Sequence, residues 1–248
     1  SCSHRKQASI HKITDYVKHA YAGPLLQKEI ESINLVVNDK KKPVTCIIGG
    51  SKISTKIGII SKLIKNVNNI IIVGAMANNF LAYKGFKIGK SLIEKNVETI
   101  IEKIYLEAKK NNCEIIIPSD CAVSTSFEGS NTVKKLNLIN EDEIILDIGS
   151  ETIKNIEDII DNSKTILWNG PAGYFENKNF LKGTDAIANK ISKNTIKKSL
   201  ISIIGGGDTV SAINKLQKKL IFSHLSTAGG AFLEFLEGKD LPGLSVLK

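Results

Sequence analysis

The segment Gly205-Gly206-Gly207-Asp208-Thr209 combines residue types that can bind a phosphate. It follows a β-branched apolar run and precedes a stretch with helical spacing. In such a turn the backbone N–H groups at the helix start can hold an anion, although glycine also allows a chain simply to turn tightly. Asp208 either caps the helix or holds Mg²⁺ that is bound to nucleotide phosphates. The segment alone leaves these alternatives open.

A second candidate is the pair of lysines that follows Gly49-Gly50-Ser51. Lys52 and Lys56 are four residues apart at what we expect to be the opening of a helix, where they would share one face. Two ammonium groups beside a glycine turn suit a polyphosphate; the alternative is an ordinary solvated helix start. Glycine amides, lysines and one acid together fit phosphoryl transfer, in which catalysis consists mostly of positioning and charge stabilisation.

Other familiar catalytic patterns are missing from the sequence. The lysine of the first glycine turn follows too closely for a Walker loop, and no GxGxxG is followed by an acid at the spacing of a dinucleotide site. The histidines form no Ser-His-acid or Cys-His set, and we expect His224 to be structural. The four cysteines lack a CxxC pair and are expected to be reduced thiols rather than metal ligands.

Repeated units of an apolar strand, a glycine-rich turn and a helix must position these candidates. The pattern predicts strands within 44–50, 69–77, 113–120, 143–149, 164–175, 200–209 and 221–225. It predicts helices within 24–38, 54–67, 93–112, 151–163, 183–194, 210–219 and 226–238. This alternation is typical of an α/β fold with a doubly wound, Rossmann-like open sheet, mostly parallel, with helices on both faces.

Ligands bind such sheets at the carboxyl ends of the strands. The small-residue turns expected there, which we call the rim, are 49–52, 74–77, 169–173, 205–209 and 226–231. Because all of these turns are expected at one edge of the sheet, a shared ligand site explains them better than five unrelated tight turns.

The composition of the 248 residues, with 42% hydrophobic and 24% charged, is that of a soluble globular protein. We expect no membrane span and no signal peptide, and since the first residue is not Met, the chain need not be a complete translation product. The net charge of +9 raises the possibility of nucleic-acid binding. Proteins that recognise nucleic-acid bases rely on arginine, however, and Arg5 is the only arginine in the sequence. The positive charge therefore favours an anionic small ligand over nucleic acid.

Several motifs occur in the order found in phosphoglycerate kinase, and the chain resembles the bacterial type of that family from residue 1 to 248. They are GGSKISTKI, GKSLIEKN, LDIGSET, WNGPAGYFE, IIGGGDT, STAGGAFLEFLEGK and LPG. The resemblance implies a two-domain hinge enzyme of glycolysis. It would transfer a phosphoryl group between 1,3-bisphosphoglycerate and Mg·ADP, giving 3-phosphoglycerate and Mg·ATP, with ATP or ADP as substrate and Mg²⁺ as cofactor.

The resemblance also divides the chain. Residues 1–21 would be a remnant of the N-terminal substrate domain, 22–38 the interdomain helix, 39–240 the nucleotide-binding domain and 241–248 the start of a C-terminal tail. The rest of the N-terminal domain would act in cis, and the enzyme would be a cytoplasmic monomer with no nucleic-acid or membrane partner.

Residue roles follow from the same resemblance. Lys52 would steady the transferring phosphoryl group, Lys56 would bind nucleotide phosphates, and Arg5 would contact the substrate phosphate. Asp208 would hold Mg²⁺ through the nucleotide. The residues with an expected catalytic role are Lys52, Lys56, Gly206 and Gly207. The expected nucleotide site consists of Gly49, Gly50, Ser51, Lys56, Gly74, Ala75, Asn169, Gly170, Pro171, Glu176, Gly205, Gly206, Gly207, Asp208, Thr209, Gly229 and Gly230.

The chain departs from the family pattern in two turns and in extent. Val73-Gly74-Ala75 and Ala228-Gly229-Gly230 stand where the family commonly has three glycines, and a methyl group there is expected to narrow the slot or weaken an amide contact. Most of the acid pocket is missing, so we expect this polypeptide to bind nucleotide but turn over little. The alternative is a non-catalytic nucleotide-binding module from a decayed gene.

Overall fold

A parallel sheet with helices on both faces forms the centre of the computed structural model, which describes residues 2–37, 40–226, 228–236 and 238–247. The strands are β1 Val44–Ile48, β2 Asn69–Ile72, β3 Glu114–Ile116, β4 Asp120–Ser124, β5 Thr132–Lys135, β6 Ile144–Ile148, β7 Thr165–Asn169, β8 Ile201–Gly205 and β9 His224–Leu225. The α-helices are α1 Pro24–Val37, α2 Ile57–Ile64, α3 Met76–Tyr83, α4 Glu98–Lys110, α5 Ser150–Asn162, α6 Lys182–Ile196, α7 Gly207–Lys215, α8 Gly230–Leu236 and α9 Pro242–Ser245.

The six strands of the main sheet lie in the order β3-β2-β1-β7-β8-β9, and every pair is parallel. This arrangement confirms the predicted doubly wound α/β fold. The strand order reverses between β1 and β7, which is where such sheets bind ligands. In register, Ile48 pairs with Asn169 and Asn169 pairs with Gly205, so the turns after β1, β7 and β8 begin at one level.

Two apolar cores cover the two faces of this sheet. Successive residues of β1 alternate between them, since Cys46 and Ile48 belong to the core beneath α2, α3, α4 and α8. Ile47 belongs to the opposite core, beneath α5, α6 and α7. All five residues of β1 are buried, which explains why its sequence is a continuous apolar run rather than an alternating one.

A separate antiparallel sheet, in the order β5-β4-β6, stands beside the main one. The repeat predicts β6 as another strand of the parallel sheet, and this is wrong: among the strands of the described residues β6 pairs with β4, and Ile144 forms a single antiparallel bridge with Gly89. The helix α3 and the strands β4 and β5 are also absent from the sequence prediction. An apolar run marks a buried strand but carries no information about its partner, so the second sheet could not be read from it.

Several predicted element bounds also need correction. Helix α1 begins at Pro24 as expected, while Asn38, its predicted last residue, lies outside the described residues. Helix α2 begins at Ile57 rather than at residue 54, and α4 begins at Glu98 rather than at residue 93. In both cases the residues before the helix form a loop.

His224 is buried and hydrogen-bonded, as expected of a structural residue. Its Nε2 lies 3.0 Å from Oε2 of Glu29, to which Ser226 Oγ also donates a hydrogen bond of 2.8 Å. Both side chains of the His224–Glu29 pair are 7% exposed, so the pair ties α1 to the last strand of the sheet. At the two ends of the chain, Gly243 N donates to Ser3 O at 2.8 Å. None of the helices in the described residues is both long and apolar enough to span a bilayer.

Candidate functional site

The turns after β1 and β7 touch each other through their backbones. A Cβ added to Gly49 would lie 2.4 Å from Pro171 O, and one added to Gly170 would lie 2.4 Å from the Gly49 carbonyl carbon. Gly170 also has a φ of +103°, and Gly49 N donates to Asn169 O at 2.7 Å. Only glycine allows this approach, so the glycines predicted at the rim have a steric reason at the point where the strand order reverses.

A hydrogen-bonded network joins the turns after β1, β7 and β8. The Lys56 ammonium donates to Asn169 Oδ1, and Asn169 Nδ2 donates to Gly205 O at 2.7 Å. Thr209 Oγ1 donates to the same carbonyl at 2.9 Å and accepts from Gly170 N at 2.7 Å. Asn169 and Thr209 are buried, so these bonds are shielded from water and hold the turns as one unit.

The triple-glycine turn needs glycine at one position in particular. Gly206 has a φ of +103°, and a Cβ there would lie 2.4 Å from Asn169 Nδ2. Gly207 begins α7, and a Cβ added there would meet nothing within 4 Å. Asp208 is exposed, and its carboxylate accepts no hydrogen bond from the described residues, so the helix-capping alternative is wrong. The exposed amide of Gly207 and this carboxylate are open to a ligand.

The predicted shared helix face of Lys52 and Lys56 is wrong. Both residues precede α2, with Lys56 at its N-cap and Lys52 in the loop before it. That loop is clamped by Glu94, which accepts hydrogen bonds from Ser54 N at 3.0 Å and from Ser54 Oγ at 2.5 Å. Burial opposes ionisation of Glu94, but the Ser54 hydrogen bonds and the Lys52 charge outweigh it and lower the pKa of the carboxyl group. The clamp therefore favours a loop over an earlier helix start.

A cavity of about 360 Å³, which we call the rim cavity, opens beside these turns. From the predicted site it is lined by Gly50, Ser51, Gly74, Ala75, Pro171, Glu176 and Asp208. Nine other residues of the predicted site lie next to the cavity without lining it. They are Gly49, Lys52, Lys56, Asn169, Gly170, Gly205, Gly206, Gly207 and Thr209. Arg5, Gly229 and Gly230 do not line it either. Arg5 is exposed, and its neighbour His4 lies 3.4 Å from the Cβ position at Gly230.

The apolar end of the rim cavity comes mostly from residues that sequence reasoning missed. They include Leu81, Leu92, Phe127, Tyr174 and the residues of β6. Phe127 and Tyr174 pack edge to face with ring centroids 5.1 Å apart, and Asn177 Nδ2 donates to Phe127 O at 2.8 Å. The short apolar run 121–123 before a Ser- and Gly-rich turn was a signal for this hairpin. The cavity thus combines an apolar slot with a polar rim, which suits a flat ring that carries phosphates.

The two departures from the three-glycine pattern leave the backbone unstrained. Gly74 has a φ of +68° and Gly229 a φ of +57°, so glycine is kept where the left-handed region requires it. Ala75 is the N-cap of α3 and has a φ of −62°, a conformation that any residue adopts. Because Ala75 lines the rim cavity, its methyl group bears on the width of the slot, which stays a prediction.

No group of three or more His, Cys, Asp or Glu side chains that could hold a metal ion occurs among the described residues. A lone exposed carboxylate such as Asp208 fits a cation that is held mainly by phosphate oxygens and water, as Mg²⁺ commonly is.

Comparison with known proteins identifies the family. The family model described as phosphoglycerate kinase matches residues 1–239. The chain belongs to the phosphoglycerate kinase family. It is 45% identical over 251 aligned residues to the phosphoglycerate kinase of a Wolbachia strain from Drosophila simulans and 40% identical over 250 to that of a Chelativorans strain. Each match covers 100% of this chain and 63% of the relative.

Solved phosphoglycerate kinase structures have the same fold. The structure from Coxiella burnetii superposes with a TM-score of 0.91 at 39% identity, covering 98% of this chain and 62% of that one. The structure from Pyrococcus horikoshii gives a TM-score of 0.81 at 28% identity, covering 99% of this chain and 61% of that one. The chain therefore spans less than two thirds of the relatives that it matches.

Proposed function

We propose that this chain is the nucleotide-binding part of a phosphoglycerate kinase and binds Mg·ADP and Mg·ATP at the rim. The whole enzyme transfers a phosphoryl group between 1,3-bisphosphoglycerate and Mg·ADP, giving 3-phosphoglycerate and Mg·ATP in glycolysis. The observation that carries the proposal is the network from Lys56 through Asn169 to Gly205 beside a partly apolar cavity. It joins a cation, two glycine turns and a helix start at one place, which is what a bound polyphosphate requires.

The residues divide between the two ends of the nucleotide. The apolar end of the cavity, with Ala75 and Gly74 at its edge, takes the base, and the Glu176 carboxylate accepts a hydrogen bond from the ribose. Ser51, Pro171 and the amides of Gly206 and Gly207 face the phosphates. Lys56, already bonded to Asn169, holds a phosphate without a large rearrangement. Fixed donors of this kind stabilise developing charge because they need little reorganisation during the reaction.

Asp208 is the residue that would hold Mg²⁺, together with the nucleotide phosphates. The cation neutralises phosphate charge when it is bound. Lys52 lies on the exposed loop before α2, from which its flexible side chain extends toward the phosphoryl group in transfer. Gly229 and Gly230 open α8 on the side of the chain near His4 and Arg5, and we assign Arg5 to the phosphate of the phosphoglycerate.

The 248-residue polypeptide by itself is proposed to turn over little. Its relatives contain a further third of sequence, and Arg5 is the one residue that the resemblance assigns to the acid site. Residues 1–21 would belong with that further domain, 22–38 would connect it, 39–240 would bind the nucleotide and 241–248 would begin the tail. We further propose a cytoplasmic monomer without nucleic-acid or membrane partners.

Calorimetric titration of the polypeptide tests the proposal. We expect Mg·ADP to bind and 3-phosphoglycerate to bind much more weakly. Lys56→Ala should weaken Mg·ADP binding by about tenfold, since a charge-assisted hydrogen bond is lost. The matched control Lys65→Ala removes the same charge from the exposed end of α2 and should change little.

Two results would contradict the proposal. Absence of Mg·ADP binding, or equal effects of the two lysine variants, would remove the nucleotide site from the rim. Rapid ATP formation from 1,3-bisphosphoglycerate by the polypeptide alone, measured in a coupled assay, would leave the site in place but refute the expected low turnover.

A further inference from the structure

Asp147 is a buried carboxylate next to the rim cavity that the sequence pattern does not single out. It lies near the end of β6 and is 3% exposed. Its Oδ1 accepts a hydrogen bond of 2.8 Å from Ile148 N, and its Oδ2 accepts one of 2.9 Å from Gly183 N in α6. It has no ion-pair partner within the part of the chain that the structure describes. A charge in this position is stabilised mainly by backbone N–H groups, with a further contribution from the charge of Lys182.

Two glycines leave room for this side chain. A Cβ at Gly183 would lie 2.4 Å from Asp147 Oδ1, and a Cβ at Gly173 would lie 2.5 Å from Asp147 Cγ. Neither glycine has a positive φ, so the space for the carboxylate, rather than backbone conformation, explains them. Gly173 and Asp147 both line the rim cavity, so the buried carboxylate is part of the cavity wall.

The cavity wall at 171–174 is supported by the two elements that Asp147 connects. Tyr174 N donates to Leu146 O of β6 at 2.6 Å, and Ala172 N donates to Thr184 Oγ1 of α6 at 3.0 Å. The bond from Gly183 N to Asp147 ties α6 to β6 between these two supports. Movement of one element relative to the other would therefore move the wall.

We propose that Asp147 is a positioning residue for the nucleotide: by tying β6 to α6 it holds the 171–174 wall against the base. It touches no reacting atom, and it acts through Ala172, Gly173 and Tyr174. This inference rests on the proposed nucleotide function of the rim cavity. Loss of the hydrogen bond from Gly183 N should loosen the wall and weaken nucleotide binding.

The charged and titratable groups around Asp147 allow a second test, in which nucleotide affinity depends on pH. Burial raises the pKa of Asp147 to about 7, against the lowering effect of its backbone hydrogen bonds and of Lys182 on α6. From β4, the Cys121 thiol also faces it, and burial first, then the charges of Asp120 and Asp147, raise the pKa of that thiol. Protonation of Asp147 neutralises the carboxylate that accepts these two N–H hydrogen bonds. The hydrogen bond from Gly183 N, which ties α6 to β6, therefore weakens as the pH falls through about 7.

Calorimetry with Mg·ADP on the full chain, comparing Asp147→Asn with Asp120→Asn, tests the inference. Asp120 is also buried and accepts hydrogen bonds from Glu151 N and Thr152 N at the start of α5, but it does not line the rim cavity. Both variants put an amide against backbone donors. We expect Asp147→Asn to raise the Kd about three- to tenfold, the loss of about one hydrogen bond, and Asp120→Asn to leave the Kd of the folded protein unchanged.

A second measurement needs no variant and covers the case in which Asp147→Asn fails to fold. Binding of adenosine, which has no group that titrates between about pH 6 and about pH 8, should be weaker at the lower pH. Adenosine affinity that is equal at both pH values, or equal Kd values for Mg·ADP in the two variants, would overturn the inference while leaving the nucleotide site intact. An unchanged chain that binds neither ligand would overturn the nucleotide site and the inference together.

Discussion

Gly206 and Gly207 are neighbours with opposite steric demands. A methyl group on Gly206 meets Asn169 Nδ2 at 2.4 Å in a left-handed backbone, whereas one on Gly207 meets nothing within 4 Å. We expect Gly206→Ala to destabilise the fold by about 2 kcal/mol, from the strain of a non-glycine residue at positive φ together with the clash. Gly207→Ala should change stability by less than about 1 kcal/mol, because alanine favours a helix start at least as well as glycine.

Urea unfolding of both variants checks this prediction, and Mg·ADP titration separates stability from binding. Gly207→Ala should stay folded and still lose affinity if its amide faces the phosphates, since the added methyl group obstructs their approach. Equal unfolding free energies in the two variants would show that the Asn169 contact does not constrain the turn.

At the scale of residues, the sequence indicated the glycine turns and the lysines but not their contacts. Gly49, Gly170 and Gly206 could be selected from the pattern of strand and turn. Asn169 could not be recognised as the link between Lys56 and Gly205, because its amide acts across strands that are distant in sequence. Asp147 lay in a motif that the resemblance already contained, yet its burial depends on α6.

The loop before α2 is an element in its own right because Glu94 clamps it. We expect Ser54→Ala, which removes the Oγ hydrogen bond to Glu94, to increase backbone hydrogen exchange across 51–56. The other rim turns should be unaffected. Nucleotide affinity should fall by less than about tenfold, since an exposed hydrogen bond contributes little.

The matched control for this variant is Ser61→Ala on α2, which has no hydrogen bond to the loop in the part of the chain that the structure describes. Unchanged exchange in Ser54→Ala would mean that the remaining bond from Ser54 N to Glu94 is sufficient to hold the loop. The pKa of Glu94 is lowered, so the clamp is fully formed above the ordinary glutamate pKa and is lost as the pH falls through the lower, folded-state value.

At the scale of elements, the parallel sheet was predictable and the antiparallel one was not. The central strands of the main sheet are buried on both faces. Each is therefore a continuous apolar run, which can be told apart from the amphipathic pattern of the helices around it. Strand β4 is as long and as buried as the central strands, but only 121–123 of it are apolar, and β5 is mostly exposed. Its residues, Thr132–Lys135, have no apolar periodicity to detect. As a consequence, the apolar end of the rim cavity, which Cys121 of β4 and the residues of β6 line, was missing from the prediction.

The stability of the whole molecule should depend on pH through Asp147. In the unfolded chain this carboxyl group releases its proton near its ordinary pKa of 3.8, but in the folded chain it keeps the proton up to about pH 7. Between these values the folded state binds more protons, so the unfolding free energy falls as the pH rises, by up to about 1.4 kcal/mol per pH unit. Above about pH 7 the group is ionised in both states and contributes no further slope.

Urea unfolding between about pH 5 and about pH 7 measures this slope, and Asp147→Asn should remove it. Glu143 and Asp161 have lowered pKa values because of their hydrogen bonds to lysines and neighbouring amides. Their contributions therefore change at lower pH and do not overlap with this range. The same slope in both proteins would mean that Asp147 does not keep its proton in the folded chain.

Trp168 gives the molecule an optical property that follows from its place in the fold. It is the only tryptophan in the 248 residues, it is completely buried in β7, and its Nε1 donates a 2.7 Å hydrogen bond to Gly170 O. Gly170 is the residue whose backbone touches Gly49 across the two halves of the sheet. Fluorescence excited at the indole band therefore comes from one fluorophore, attached to the junction of those halves, and its emission wavelength follows any shift of that junction without a label.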